Sequence, residues 1–307
     1  MSKQALIYSL KIALAIELSE VSRSVEIFFS IFLCCGDTSM LRRTFLEDGI
    51  ILLIRWYNPI PHRYWKARIS QALELNQLEL HCQPIVDAGG KLYAEEILLR
   101  LNDGDRVIAA GEFIEAIAPY PNLISQIDWW VLENTFKKYA NSSHKRHINI
   151  SSGSLEKKGF ALKFKRLADA YKCDIETVVI EVTEQLKIED YRESLKIKAM
   201  GVNLAIDDFL TGYNSFDVLQ SLHPQAIKIS GTLVGRISSR PGIVLIEAII
   251  KIAASLSIVA IAEAVECEYT WTLLKLLAAK YDCKLYGQGY LFGRPTLCAQ
   301  SNSGGIA

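Results

Sequence analysis

Ile243–Val265 reads IVLIEAIIKIAASLSIVAIAEAV, a stretch apolar enough to be mistaken for a membrane span. Glu247, Lys251 and Glu263 interrupt it, and Glu247 and Lys251 stand four residues apart, the spacing of a charge pair on one helix face. Ile243–Ser255 keeps helical apolar spacing, whereas Ile258–Val265 is a short run rich in β-branched residues. The stretch is therefore a buried helix followed by a buried strand, and the fold follows from how often that unit recurs.

It recurs along most of the chain. Short apolar or β-branched runs lie at Leu78–Val86, Leu92–Leu101, His147–Ser151, Val178–Thr183, Asn203–Phe209, Ala226–Ser230, Ile258–Val265 and Leu285–Phe292. Phe113–Tyr139, Leu155–Tyr171, Ile243–Ser255 and Tyr269–Tyr281 carry helical apolar spacing between them. Alternating strand and helix favours a parallel sheet. An open doubly wound sheet would place a glycine-rich phosphate turn after its first strand, and neither Gly-x-Gly-x-x-Gly nor a Walker-type loop occurs. Eight strand candidates tip the choice to a closed α/β barrel, a TIM-like (β/α)8 fold. Gly89-Gly90 leaves only a hairpin between the first two strands, so the first strand is expected to run antiparallel. Asn58-Pro59-Ile60-Pro61 resists helix and sheet and marks a boundary. The expected organisation is an N-terminal extension over 1–62, a barrel over 63–299 and a flexible tail over 300–307.

Composition narrows the function classes. Half of the 307 residues are apolar, and 34 basic side chains balance 34 acidic ones. That is a globular chain without the basic field that binds duplex nucleic acid. Seven scattered cysteines without a Cys-x-x-Cys pair argue against a disulfide framework or zinc knuckle and suit a reducing, cytoplasmic setting. Five histidines without ligand spacing argue against histidine-bound zinc, so any metal should have oxygen ligands. Within residues 1–62 the apolar runs Ala5–Ile16, Val25–Cys35 and Gly49–Ile54 all fall short of the about 18 residues a span needs. Short amphipathic helices are the favoured reading there, with membrane association around Val25–Cys35 as the alternative. Fractionation of cells tests the alternative, because a wholly soluble protein excludes it.

Barrel enzymes carry their chemistry where strands give way to loops at the C-terminal face. Here those places hold Glu96, Asn149, Glu181, Asp207, Asp208, Lys228, Glu263, Glu266 and Gln288. An isolated member has an ordinary explanation, such as a structural ion pair between Glu181 and Lys228. Several acids in apolar strands need a common reason, because an unpaired buried carboxylate costs several kcal/mol. Coordinated metal is one. Carboxylates and an amide select hard cations, Mg2+ or Mn2+, and a pair of such ions serves in-line attack of water on a phosphodiester.

Taken in order, Gln83-Pro84-Ile85-Val86, Glu96-Ile97-Leu98-Leu99-Arg100, Ile148-Asn149-Ile150-Ser151, Glu181-Val182-Thr183-Glu184, Asp207-Asp208-Phe209, Ile227-Lys228-Ile229, Ala262-Glu263-Ala264-Val265-Glu266 and Gln288-Gly289-Tyr290-Leu291-Phe292 resemble the EAL-domain family of cyclic di-GMP phosphodiesterases. The resemblance implies hydrolysis of cyclic di-GMP to linear pGpG at a site for two Mg2+ or Mn2+ ions, in a barrel with one antiparallel strand. It implies Glu96, Asn149, Glu181 and Asp207 as ligands of the first ion, with Asp207 and Asp208 flanking the second. Lys228 would hold the attacking water or a phosphate oxygen, and Glu263 would act as base or organise the metals. Gln83, Arg100 and Gln288 would touch the nucleotide or support the site. Glu184 would anchor the loop after Asp208, with Glu266 in a similar supporting place. A homodimer is a further expectation of the family.

Four positions depart from the family pattern. Ile97 replaces alanine, Leu210 replaces glycine, Ser230 replaces aspartate and Ala264 replaces glycine. Ile97 should only repack the core, since neighbouring strand residues face opposite sides. Leu210 is the more serious change, because glycine there would supply a backbone conformation that strains leucine. Ala264 should crowd the mouth beside Glu263, and Ser230 removes a charge from it. Two readings follow: an active metal-dependent phosphodiesterase, or a catalytically weak relative that regulates by binding cyclic di-GMP or a protein partner. A fused cyclase half is excluded, because no Gly-Gly-Asp/Glu-Glu-Phe signature occurs.

Overall fold

The computed structural model describes residues 60–140, 142–183, 190–210 and 215–298. Its backbone divides into Met1–Pro59 and Ile60–Ala307, and the described residues lie in the second unit. The helical and membrane-associated readings of the leader, the tail 300–307 and the role of Glu184 fall outside the described residues. No helix among the described residues is long and apolar enough to cross a membrane.

The unit opens with a helix, Ile60–Glu74. Pro61 lies in its first turn, where a missing N–H leaves no intrahelical bond unmade. The strands follow as β1 (Leu78–Asp87), β2 (Leu92–Asn102), β3 (Val107–Ala109), β4 (Lys145–Asn149), β5 (Val178–Thr183), β6 (Asn203–Asp207), β7 (Ala226–Ile229), β8 (Val259–Ala262), β9 (Leu285–Gln288) and β10 (Thr296–Leu297). They form one sheet in the order β10-β1-β9-β8-β7-β6-β5-β4-β2-β3, and β1 also pairs with β2, which closes an eight-stranded barrel. From β2 through β4 to β9 neighbouring barrel strands are parallel, while β1 is antiparallel to both β2 and β9. The expected TIM-like barrel with one reversed strand is what the structure shows. The reversal is made at the glycine pair: Asp87 Oδ1 accepts from the backbone N–H of Gly89 and Lys91, and Gly90 turns the chain at φ +85°.

Helices cover the outside. Phe113–Tyr139, read as one helix, is divided into Ile114–Ile117 and Pro121–Tyr139, with Pro121 starting the second. Leu155–Tyr171 is similarly broken at Gly159 into Ser152–Leu155 and Phe160–Tyr171. Arg240–Ser255 and Glu268–Lys280 match their readings. Glu247 has further partners: its carboxylate accepts from Lys280 Nζ and Tyr281 OH, each at 2.6 Å, so it ties helix to helix while the Lys251 charge acts on it more weakly.

The cysteine reading also needs correction. Cys82 on β1 and Cys298 after β10 are joined in a disulfide although 216 residues separate them. Sequence spacing shows only near neighbours, and barrel closure brought these two together.

The core has two parts. A large apolar cluster fills the space between sheet and helices and includes Ile97, 2% exposed, as expected for its outward place. A small one, Ile85, Ala94, Val179, Ala205, Ala226 and Ile261, lies within the barrel. Ala94, Val179, Ala205, Ala226 and Ile261 each precede a polar residue by two positions: Glu96, Glu181, Asp207, Lys228 and Glu263. Strand side chains alternate with period two, so the polar residues stand on the same inner face, one step above an apolar floor.

Candidate metal and phosphate site

Lys228 is the centre of that upper layer. Its Nζ lies 2.7 Å from Glu263 Oε1, 2.9 Å from Glu181 Oε2, 3.2 Å from Asp207 Oδ1 and 3.4 Å from Glu96 Oε2. Lys228 is 1% exposed and Glu181 0%. Burial disfavours the Lys228 ammonium, but the surrounding carboxylates outweigh it and hold the amine well above its usual pKa. The ordinary ion pair between Glu181 and Lys228 is thus present, as one spoke of a wheel.

Around it the sequence-read residues converge. Asn149 Nδ2 donates to Glu96 Oε1 at 2.8 Å, and Gln288 Nε2 donates to Glu96 Oε2 at 2.6 Å and to Gln83 Oε1 at 3.1 Å. Gln83 Nε2 in turn donates to the Gly293 carbonyl at 3.1 Å. Burial pushes Glu96 up, yet Lys228 and the amides of Gln288 and Asn149 bring its carboxyl below the ordinary value. Glu181 goes the other way, raised by burial and by the charges of Glu96 and Asp207. Burial first, then Asp207 and Glu96, pushes Glu263 up to about 7 in spite of Lys228. Burial and Asp207 raise Asp208.

Among the described residues, Asp207, Asp208 and Glu263 form a three-acid group, with one oxygen from each within 4.8 Å of the others. Asp207 Oδ1 is buried and lies near Lys228, but no hydrogen bond aligned on it is made. A carboxylate oxygen held this way, beside two more carboxylates, fits a hard divalent cation. Glu263, expected as a base or metal organiser, therefore stands among the groups able to hold a cation.

The mouth is completed by loops. Gly289 lets the turn after β9 approach Val265 so closely that a Cβ there would lie 2.2 Å from Val265 N and O. Arg100 lies on β2 four residues beyond Glu96, on the same strand face, with Nη1 on the Leu99 carbonyl at 2.8 Å. Glu266 is exposed on the loop after β8. Leu210 and Ala264 both have left-handed backbone, φ +67° and +47°, as does Asp208 at +51°. The strain expected at Leu210 is present. Ala264 is exposed, and its methyl overhangs Gly231, where an added Cβ would come within 2.6 Å of it. Ser230 acts locally, its Oγ accepting from Leu233 N to cap Gly231–Val234.

Two contributors were not singled out in the sequence. His147 on β4 places Nδ1 2.7 Å from Glu181 Oε1, and burial with the Lys228 charge lowers its pKa to about 3. The signal was its position two residues before Asn149, on one strand face. Asp128 on the helix Pro121–Tyr139 accepts from Ser151 Oγ and fixes the loop after Asn149. No spacing rule links a helix acid to a serine beyond the next strand.

The EAL domain model matches residues 66–295. The chain belongs to the EAL domain family. Among relatives of this EAL domain, the cyclic di-GMP phosphodiesterase PdeF of Escherichia coli (strain K12) is 29% identical over 238 residues, 74% of this chain and 31% of PdeF. The PaMucR phosphodiesterase, solved as a c-di-GMP complex, is 28% identical with a TM-score of 0.69, over 76% of this chain and 98% of that one. BlrP1 of Klebsiella pneumoniae, solved as a manganese/cy-diGMP complex, is 26% identical with a TM-score of 0.63, over 72% of this chain and 56% of that one. The chain spans about a third of the length of curated relatives such as PdeF and PdeA.

Proposed function

We propose that this EAL domain is a phosphodiesterase that hydrolyses one phosphodiester of cyclic di-GMP to linear pGpG with two Mg2+ or Mn2+ ions. The observation that carries this reading is the wheel of Glu96, Glu181, Asp207 and Glu263 around Lys228, with Asp208 completing a three-acid group beside it. Relatives named as cyclic di-GMP phosphodiesterases, and neighbours solved with that nucleotide and manganese, support substrate and metal class.

Glu96, Asn149, Glu181 and Asp207 would hold one ion, and Asp207 and Asp208 would flank the second, with Glu263 beside both aspartates. Bound cations supply Lewis acidity to the phosphate and lower the pKa of coordinated water. Lys228 orients the attacking water or a phosphate oxygen with an ammonium that the surrounding acids keep charged. Glu263, raised to about 7, is suited to accept a proton near neutral pH. Arg100 meets phosphate charge, while Gln83 and Gln288 hold the Glu96 carboxylate in one orientation.

The test is chromatographic analysis of products from cyclic di-GMP and the purified full chain with Mg2+ or Mn2+. pGpG is expected from the wild type and none from Glu96→Gln. The left-handed backbone at Leu210 and Ala264 favours the second reading, a catalytically weak regulator that binds cyclic di-GMP or a protein partner. Nucleotide bound and recovered uncut with either metal would select it.

A further inference from the structure

His147 is 1% exposed inside the barrel, where the floor beneath the polar layer is otherwise apolar. Its register partner on β2 is Glu96, and on β5 Val179, so the imidazole lies between strands that carry two of the acids. Nδ1 meets Glu181 Oε1 at 2.7 Å while the other oxygen, Oε2, takes the Lys228 ammonium at 2.9 Å. Both oxygens of this fully buried carboxylate thus have a set partner. Nε2 is buried and has no hydrogen-bond partner. As the ionised carboxylate that would ligate a cation and that faces the Lys228 ammonium, Glu181 only accepts, so beside it Nδ1 carries the proton and Nε2 is left as an acceptor. The reverse tautomer would oppose two lone pairs and bury an N–H without an acceptor.

We infer that His147 is a positioning residue: as the Nδ1–H tautomer it grips Glu181 Oε1 and fixes the carboxylate's rotation, keeping Oε2 turned toward Lys228 and the acid ring. The inference rests on the reading of Glu181 as a metal ligand. Partners of this type orient ligating carboxylates, and their loss typically weakens metal affinity or activity by about 10- to 100-fold. An imidazole that only fills the core would be replaced without loss by an apolar side chain of similar size.

The test is Mn2+ binding to the full chain, followed by the electron paramagnetic resonance of the free ion. His147→Leu should weaken binding by about 10- to 100-fold. His147→Asn, whose amide nitrogen falls near the place of Nδ1, should recover most of that loss. Wild-type affinity in the leucine variant, or no recovery with asparagine, overturns the inference. Asp207→Asn, run alongside, separates the two levels. If the wild type binds Mn2+, Asp207→Asn loses it and His147→Leu keeps it, the His147 inference alone fails. If the wild type binds none, the metal reading fails and the inference with it. Should the leucine variant not fold, nitrogen-15 spectra of the Mg2+-loaded wild type decide, with the His147 resonance assigned by its loss in His147→Asn. An Nδ1–H ring is expected, and an Nε2–H ring overturns the inference.

Discussion

Lys228 is a buried cation among four carboxylates, so its removal should be felt most when no metal is present. Lys228→Met is expected to cost about 3–5 kcal/mol in metal-free urea unfolding, because it leaves buried charge uncompensated. Added Mn2+ should return part of that loss; an unchanged midpoint without metal would contradict the wheel of ion pairs. Ala264 gives a smaller effect of opposite sign. An L-residue in left-handed backbone costs about 1–2 kcal/mol, and Ala264 is exposed with little packing to lose. Ala264→Gly should stabilise by about 1 kcal/mol, read as a Tm about 2–4 °C higher. A lower Tm would mean that the methyl over Gly231 contributes packing. Leu210 and Ala264 were legible in the sequence because each stands where the family pattern has glycine. His147 was not, because a histidine inside a strand reads as core until a carboxylate is found against it.

At the level of elements the governing feature is the two-residue step from floor to ring. Ala205 lies beneath Asp207 and Ala94 beneath Glu96, both floor alanines 0% exposed. Ala205→Leu should overpack the barrel by about 1–3 kcal/mol. It should also weaken Mn2+ binding by displacing Asp207, a joint effect checked by denaturation and a metal titration; loss of stability with unchanged metal affinity would uncouple floor from ring. The eight barrel strands were legible because each combines a short apolar or β-branched run with a polar residue in it or near its end. Elements with less pattern escaped. β3 has three residues and β10 two, and the eight-residue helices Arg192–Ala199 and Ser215–Leu222 are too short for a clear period. Pro121 and Gly159, which divide two of the helical readings, were visible as residues but act through a packing that spacing does not display.

For the whole molecule, barrel closure brings together groups that are remote in the chain. Gln83 and Gln288 meet across 205 residues, and Cys82 and Cys298 across 216. The motif order made the first meeting readable, while nothing local marked the second. Cys298→Ser should lower stability by about 2–4 kcal/mol relative to the oxidised wild type, with reductant abolishing the difference. Equal unfolding curves before reduction would show that the disulfide does not constrain the chain. On the function proposed for this EAL domain, closure assembles a metal-dependent hydrolytic site in spite of the strained Leu210. Turnover of cyclic di-GMP by the full chain, followed as Mn2+ is titrated in, tests it most directly. Linear pGpG should form at a rate that rises with Mn2+ and returns to background on chelation; cyclic di-GMP recovered intact at saturating Mn2+ would contradict it.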